Sequence, residues 1–354
     1  MSHEVTTLEW IVIGAGPAGI AGMGKLLDAG FSRSQLLWID PQFKVGDFGS
    51  CWRYIGSNTP VESFTKFFRA CSSFAYSNSN SDSKPFLIDK IDPEKNCPLA
   101  LVAEPLQKIT NHLLEITNTR TDTVTRLIPI QNGWQVELTS GEKIHTRKVL
   151  LAMGAAPKTL HFDNIPMIPL SDALNPFKLR KALFPEDTVA VFGSAQSSKS
   201  VLGHLSKINL KKKILFYRSN TSFDRHIDEK DLEGFLSLKI TPKNLLLHIP
   251  ECTKIIYAIG FERRHIPIIG LPNNYDYDQD TGEIAPGIYG LGMAFPNILK
   301  HEMGLAEYRV AALWPVMKRL SKLLPGWLAS KEMPPAGHKA LDINNHAVAE
   351  ELIV

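Results

Sequence analysis

Six residues near the start of the chain have the types and spacing that bind a dinucleotide. They fit the pattern G-x-G-x-x-G and read Gly14-Ala15-Gly16-Pro17-Ala18-Gly19. The first glycine permits a tight turn, the second lets a pyrophosphate approach the backbone, and the third lets a helix pack closely. Asp40, about twenty residues further on, suits the hydroxyl groups of an unphosphorylated ribose, as in FAD or NAD. These residues predict a dinucleotide site with its anion at a helix N-terminus.

A second turn repeats this arrangement in a weaker form. It reads Gly193-Ser194-Ala195-Gln196-Ser197-Ser198, so only the first glycine is kept. Alanine and serine are small enough to preserve most of the turn, and serine hydroxyls can bind phosphate. Arg218 follows the next predicted strand, where a guanidinium could grip a 2′-phosphate and favour NADP over NAD. The alternatives are a vestigial turn without a nucleotide and an arginine that is simply exposed.

Both turns lie in strand-helix-strand patterns. In the first unit, strands at 8–13 and 36–39 enclose a helix at 18–29 that Gly30 closes. In the second unit, strands at 188–192 and 213–217 enclose a helix at 199–208. The repeat predicts an α/β protein with two dinucleotide-binding domains.

Apolar periodicity outlines the remaining elements. We expect a helix at 103–116, a hairpin of 124–130 and 134–138 around Asn132-Gly133, and strands at 148–152, 254–259 and 287–292. The last two strands are expected to return the chain to the first domain, with a helix at 304–320 packed across it. Residues 77–84 read as a polar loop, and the tail from Ser330 has a weak pattern.

Length and composition exclude several classes of protein. The 354 residues are enough for two domains, and the formal charge of +3 gives no field that favours nucleic acid. We expect a cytoplasmic protein without an integral membrane segment, because no signal peptide or long apolar stretch is present. The four cysteines and eleven histidines show no metal-binding spacing, so no metal site is predicted. The expected partner is a small-molecule substrate, and a homodimer stays open.

Residues from 8 to about 310 resemble the flavoprotein superfamily that includes thioredoxin reductases, glutathione-reductase-like enzymes and flavin-containing monooxygenases. The two dinucleotide units carry the resemblance, together with Ala152-Met153-Gly154 and Ala258-Ile259-Gly260 after their long segments. The resemblance implies an FAD-binding domain formed by 1–157 and 261–354. It further implies an inserted NAD(P)-binding domain at 158–260, with Gly154 and Gly260 at the crossings.

One segment narrows the resemblance to a single branch. Gly49-Ser50-Cys51-Trp52, followed by Ser57-Asn58-Thr59-Pro60, is similar to the Gly-Gly-x-Trp and Asn-x-Pro of flavin-containing monooxygenases. The resemblance implies that Asn58 lies beside the flavin and the nicotinamide, and Trp52 packs beside the isoalloxazine. Val124, Gly292 and Met293 are further cofactor-binding candidates. The F-x-G-x-x-x-H fingerprint of that family has no counterpart at 168–174, and Met293 stands where disulfide reductases carry an aspartate.

The resemblance implies an oxidoreductase that takes hydride from NADPH onto FAD and uses O₂ to oxygenate a soft nucleophile. A reductase or peroxidase acting on a disulfide, quinone or peroxide is an alternative. Cys51 could then cycle through a sulfenic acid, although a dithiol pair is excluded because Gly56 stands five positions later. The third alternative is a non-enzymatic FAD-binding protein whose NADP site is eroded.

Overall fold

A computed structural model describes residues 8–76, 85–160, 162, 164–218, 227, 229–300, 307–310 and 312–331. The predicted loop at 77–84 lies outside the described residues, as does most of the tail after Ser330.

The first part of the chain forms most of a dinucleotide-binding domain. Its strands are β1 (Leu8–Ile13), β2 (Leu36–Ile39), β3 (Asn118–Arg120), β4 (Val124–Ile130), β5 (Gly133–Leu138), β6 (Lys143–Leu151) and β7 (Ala155–Pro157). Its helices are α1 (Pro17–Asp28), α2 (Gly46–Ser50), α3 (Val61–Phe68) and α4 (Leu99–Ile116). The predicted strand-turn-helix-strand unit and the hairpin are confirmed.

The second domain repeats the pattern on a smaller scale. It contains α5 (Leu170–Ala173), α6 (Pro176–Lys181), β8 (Thr188–Phe192), α7 (Gln196–Leu205), β9 (Lys212–Tyr217), β10 (Leu236–Lys239), α8 (Pro242–His248) and β11 (Lys254–Tyr257). The four strands are parallel, in the order β10-β9-β8-β11.

The chain then returns to the first domain. The last elements are β12 (Phe261–Arg263), β13 (Glu283–Ala285), β14 (Ile288–Gly290), β15 (Asn297–Lys300), β16 (Glu307–Val310) and α9 (Leu313–Ala329). Strand β14 joins the large sheet beside β6, which gives the order β13-β14-β6-β1-β2-β3 with the β4–β5 hairpin attached through β5. Strand β12 pairs with β7 in an antiparallel ribbon at the crossing between the domains.

Three expectations about the second half were wrong. The strand near 254 does not return to the first domain, because β11 pairs with β8. The helix expected from Gly304 begins only at Leu313, and Glu307–Val310 is a strand. The helix expected from Lys199 begins at Gln196, so the small residues of the second turn form its first helical turn. Strand β10 and helix α8 were not predicted, because their stretch shows no clear apolar period.

None of the helices within the described residues is both long and apolar enough to cross a membrane. The described residues also contain no cluster of three or more metal-ligating side chains.

The buried Lys148 forms hydrogen bonds that connect the central sheet to the C-terminal end of α9. Lys148 on β6 is 7% exposed, and its Nζ donates to the carbonyl oxygens of Trp327 (2.5 Å) and Ser330 (2.8 Å) at the end of α9. A cation favours the C-terminal end of a helix, where carbonyl groups lack intrahelical partners. Desolvation nevertheless lowers the pKa of the Lys148 ammonium below its ordinary value.

We predict that Lys148→Ala lowers the free energy of unfolding by about 2–3 kcal/mol, because two helix carbonyls lose a charged donor. Urea denaturation followed by circular dichroism measures the change. Lys143→Ala is the matched control, since Lys143 lies on the same strand and its exposed ammonium pairs with Glu137. Equal stability of the two variants would show that the Lys148 contacts contribute nothing.

Candidate dinucleotide site and adjoining cavity

The first glycine turn has the geometry that its sequence predicts. Gly14 has φ +103°, and its N–H donates to the Ile39 carbonyl at 2.8 Å. A Cβ on Gly14 would lie 2.5 Å from the Ala152 carbonyl oxygen, and one on Gly19 would overlap the Gly14 carbonyl oxygen. Both positions therefore require glycine for packing within the protein.

Gly16 differs from its two neighbours because the space beside it is open. A Cβ added there meets no protein atom within 4 Å, and the φ of −74° is accessible to any residue. Gly16 is the N-cap of the twelve-residue helix α1, with Pro17 in the first turn. The first amides of a helix have no intrahelical acceptor and face such a space, so the turn fits the pyrophosphate of a dinucleotide.

Asp40 holds the turn together from the end of β2. It is 8% exposed, and its carboxylate accepts hydrogen bonds from the backbone N–H groups of Ala15 (2.7 Å), Gln42 (2.8 Å) and Phe43 (2.7 Å). A carboxylate has about four lone-pair sites, so one remains for a ribose hydroxyl. The sequence did not reveal this structural role.

The A-x-G segments pack against the two glycine turns in the same way. The Ala152 amide donates to Ile13 at 2.8 Å, and the Ala258 amide donates to Phe192 at 2.7 Å. A Cβ on Gly193 would overlap the Ala258 carbonyl oxygen, as one on Gly14 would meet that of Ala152. Gly154 and Gly260 both have positive φ, +70° and +96°. The two domains are thus built on one local design.

The second turn closes with a serine in place of the third glycine. Ser198 is fully buried, and its hydroxyl donates to the Gly193 carbonyl oxygen at 2.7 Å. The hydroxyl therefore stabilises the turn, which corrects the expectation that it could contact phosphate. Ser194 is also buried, whereas Ala195 and Gln196 are exposed at the start of α7.

Arg218 is exposed directly after β9. It does not occupy the position that corresponds to Asp40, as the sequence interpretation assumed, but the position one residue later. Gly14 donates to Ile39, the residue before Asp40, whereas Gly193 donates to Phe216 at 2.9 Å. The counterpart of Asp40 is therefore Tyr217. The second site presents no carboxylate at that position, and Arg218 lies one residue further along.

The C-terminal segment returns to the first glycine turn. A Cβ on Gly292 would lie 2.6 Å from the Cβ of Ala18 in α1. Met293 is 46% exposed beside it. Val124 is buried in the same apolar cluster as Ile13 and Ile39, near the ends of β1 and β2.

A bend at Val45-Gly46, which the sequence interpretation missed, brings Gly46 against the open turn. Val45 has φ +59°, a left-handed conformation that is an outlier for a β-branched side chain. The next residue, Gly46, would place a Cβ 3.2 Å from the Cα of Gly16. This bend directs α2 across the turn, and the glycine at 46 was the only signal for it in the sequence.

A cavity of about 230 Å³ lies beyond α2, between the two domains. From the first domain it is lined by Asp47, Cys51, Trp52, Pro157 and Arg264, and from the second by Thr159, Met167, Ile168, Pro169, Leu170, Ser171 and Tyr257. Arg264 donates to the Asp47 carboxylate at 2.5 Å and to the Met153 carbonyl at 3.3 Å. Trp52 packs edge-on to Phe261 with ring centroids 5.8 Å apart.

Only one of the two predicted catalytic residues lines this cavity. Cys51 lines it and is half-buried, with its Sγ 3.5 Å from the Ser50 hydroxyl. Asn58 is exposed on the following loop, where its Oδ1 accepts from Thr59 at 3.3 Å, and it is not among the lining residues. The other cysteines are buried, and desolvation raises the pKa of Cys71 to about 12 and that of Cys252 to about 11.

Comparison with known proteins agrees with this geometry. Residues 11–156 match a protein-family model described as FAD-NAD(P)-binding. The chain carries an FAD/NAD(P)-binding domain. The matched residues of this FAD/NAD(P)-binding domain include the first glycine turn, Asp40 and the segment that ends at Gly154.

Similarity to monooxygenases extends along nearly the whole chain. Monooxygenase AgnR1 of Paecilomyces divaricatus is 26% identical over 392 residues, which cover 90% of this chain and 98% of that protein. A solved variant of a flavin monooxygenase from Stenotrophomonas maltophilia has a TM-score of 0.60 at 14% identity, covering 91% and 98% of the two chains. DfoA of Erwinia amylovora, a cadaverine monooxygenase solved with FAD, has a TM-score of 0.61 at 11% identity, covering 98% and 100%. These structures confirm the predicted α/β fold with two dinucleotide-binding domains.

The open space at Gly16 leads to a prediction about FAD binding. Gly16→Val should abolish FAD binding and leave the apo-protein as stable as the parent, because the side chain enters ligand space only. Flavin absorbance per polypeptide and the melting temperature of the apo-protein measure the two effects. Gly19→Val is the contrasting control and should lower the melting temperature, since its side chain overlaps the turn itself. A Gly16→Val protein that keeps a full complement of flavin would contradict this site.

Proposed function

We propose that the protein is an FAD-dependent, NADPH-oxidising monooxygenase. The observation that carries the proposal is that one segment, Met153-Gly154, connects the first glycine turn to a lining residue of the cavity between the domains. Met153 lies against Gly14 on one side and accepts from Arg264, a cavity residue, on the other. Similarity to AgnR1 over nearly the full chain supports the reaction type.

The chain's own residues would bind and orient the reactants. The N-terminus of α1 would hold the FAD pyrophosphate, and Asp40 would accept a ribose hydroxyl through its remaining lone pair. In the second domain, the exposed start of α7 and Arg218 would bind the phosphates of NADPH. The apolar walls around Trp52 would exclude water from the reacting groups.

FAD, when bound, supplies the chemistry of hydride acceptance and oxygen activation. The overall reaction balances when NADPH, a proton, O₂ and the substrate give NADP⁺, water and a substrate that carries one added oxygen atom. NADPH provides both electrons, so the protein needs no redox-active thiol.

A thiol-based reductase or peroxidase is less well supported. Position 56 is glycine, so Cys51 has no partner five residues on. Burial raises the pKa of Cys71, Cys97 and Cys252, which keeps these thiols protonated and unreactive. Cys51 is the one cysteine of the four that is not buried.

We predict that Arg218→Ala weakens NADPH binding by one to two decades and leaves NADH binding nearly unchanged. A lost charge-assisted contact to the 2′-phosphate costs about 1.5–3 kcal/mol. Titration of the FAD-loaded protein with each nucleotide under anaerobic conditions measures both affinities. Arg120→Ala, in the first domain, is the control for a general loss of charge. Equal losses for both nucleotides would remove Arg218 from the 2′-phosphate site.

The experiment that tests the function is anaerobic reduction of the flavin by NADPH, followed by O₂ and measurement of hydrogen peroxide against oxygenated product. We predict that Asn58→Ala keeps FAD bound but increases peroxide release about five- to a hundredfold. Asn58 is exposed and lies outside the cavity in this structure, so the prediction rests on the resemblance to flavin-containing monooxygenases, which implies a hydrogen bond from this amide beside the flavin. Loss of one such bond would cost about 1–3 kcal/mol.

Cys51→Ser separates this chemistry from a thiol-based one. A serine preserves the packing but cannot form a sulfenic acid, so NADPH-driven flavin reduction and oxygen consumption should persist. Loss of turnover in Cys51→Ser, together with unchanged product partition in Asn58→Ala, would replace the monooxygenase with a thiol peroxidase. Failure of NADPH to reduce the bound flavin in the parent protein would leave an FAD-binding protein without this activity.

A further inference from the structure

The cavity between the domains has walls that are mainly apolar. Trp52 and Pro157 line it from the first domain, and Met167, Ile168 and Leu170 line it from the second. Met167 is 46% exposed, although a methionine of a folded domain is more often buried. An apolar occupant of the cavity would cover this surface.

The cavity carries no net charge. Asp47 and Arg264 are the one acidic and the one basic side chain among its described lining residues, and they form an ion pair at 2.5 Å. The Arg264 amide donates to the Gly154 carbonyl at 3.2 Å, and its Nη1 donates to the Met153 carbonyl at 3.3 Å, so the guanidinium is fixed. Because the two charges neutralise each other, a charged ligand would meet no free counter-charge among these lining residues.

The volume restricts the size of the occupant. A cavity of about 150 Å³ is enough to hold benzene. The cavity of about 230 Å³ therefore has room for a single substituted ring.

We propose that this is the substrate cavity and that it selects a compact, uncharged, ring-bearing molecule with one polar group at the Asp47–Arg264 pair. This inference rests on the proposed monooxygenase function. The proposed substrate differs from that of the cadaverine monooxygenase with the similar fold, because cadaverine is a linear diamine that is protonated at neutral pH.

Three ring-bearing probes of similar size test the charge selection. Isothermal titration of the FAD-loaded protein with thioanisole, benzylamine and benzoate measures binding without turnover. We expect thioanisole to bind at least about tenfold more tightly than either charged probe, since tenfold corresponds to only about 1.4 kcal/mol. Equal affinity for all three probes, or a preference for a charged one, would overturn the proposal.

Substitution of each member of the ion pair should redirect the selection. Asp47→Asn leaves Arg264 without its counter-charge and should favour benzoate over benzylamine, whereas Arg264→Gln should favour benzylamine over benzoate. Glu142→Gln is the matched control, because it breaks an exposed ion pair with Arg120 in the same domain. Variants that weaken all three probes equally would assign the pair a purely structural role.

Cys51 provides a second measurement that does not depend on folding of these variants. N-ethylmaleimide should modify Cys51 selectively, because the other cysteines are buried, and the added ring should block thioanisole binding. Saturation of the parent protein with thioanisole should in turn protect Cys51 from the reagent. Binding that survives full modification of Cys51 in the parent would place the substrate elsewhere.

The outcomes distinguish this inference from the proposed function. A protein that binds FAD, is reduced by NADPH and ignores the neutral probe refutes the cavity assignment alone. A protein that does not bind FAD, or whose flavin is not reduced by NADPH, refutes the proposed function.

Discussion

The close approach of Gly14 to the Ala152 carbonyl oxygen is the constraint on which the candidate site depends. It lets β6 end directly beside the turn that follows β1, so two segments far apart in the sequence meet at one sheet edge. The next residues, Met153 and Gly154, then lead from the dinucleotide turn to Arg264 and the cavity. A side chain at position 14 would separate these parts.

The second domain shows how far this design tolerates change. Gly193 keeps the first glycine and the same contact with an alanine carbonyl, but Ser198 replaces the third glycine. The Ser198 hydroxyl donates to the Gly193 carbonyl oxygen. The counterpart of this oxygen in the first turn is the Gly14 carbonyl oxygen, which a Cβ on Gly19 would overlap. The second turn is therefore a closed and hydrogen-bonded structure, and its divergent sequence does not imply that it is eroded.

Much of the fold could be predicted from the sequence, because buried parallel strands are continuous apolar runs and the glycine turns mark where they end. The same signals failed between 218 and 254, where β10 is half-exposed and α8 has no buried face, so neither has a clear period. The strand at 254–257 was also assigned to the wrong domain. An apolar run predicts a strand but does not show which strand it pairs with, and β11 pairs with β8 in the second domain.

The sequence predicted the site only where binding depends on backbone geometry. Steric rules explain why positions 14, 16 and 19 are glycine, and the structure shows a different steric requirement at each of them. The Asp47–Arg264 pair joins residues 217 positions apart, and no local pattern connects them. Likewise, the carboxylate of Asp40 could be assigned to a ribose from its position, but its three backbone donors depend on the folded loop.

The antiparallel ribbon of β7 and β12 gives the molecule a mechanical property. The chain leaves the first domain through one strand of this ribbon and returns through the other, so the second domain is attached along a single edge. A rotation about that ribbon would bend two short strands and leave the hydrogen bonds of both larger sheets intact, but it would also move Trp52 and Ile55 of the first domain against the apolar core of the second. The width of the space between α2 and α5 is therefore coupled to this packing.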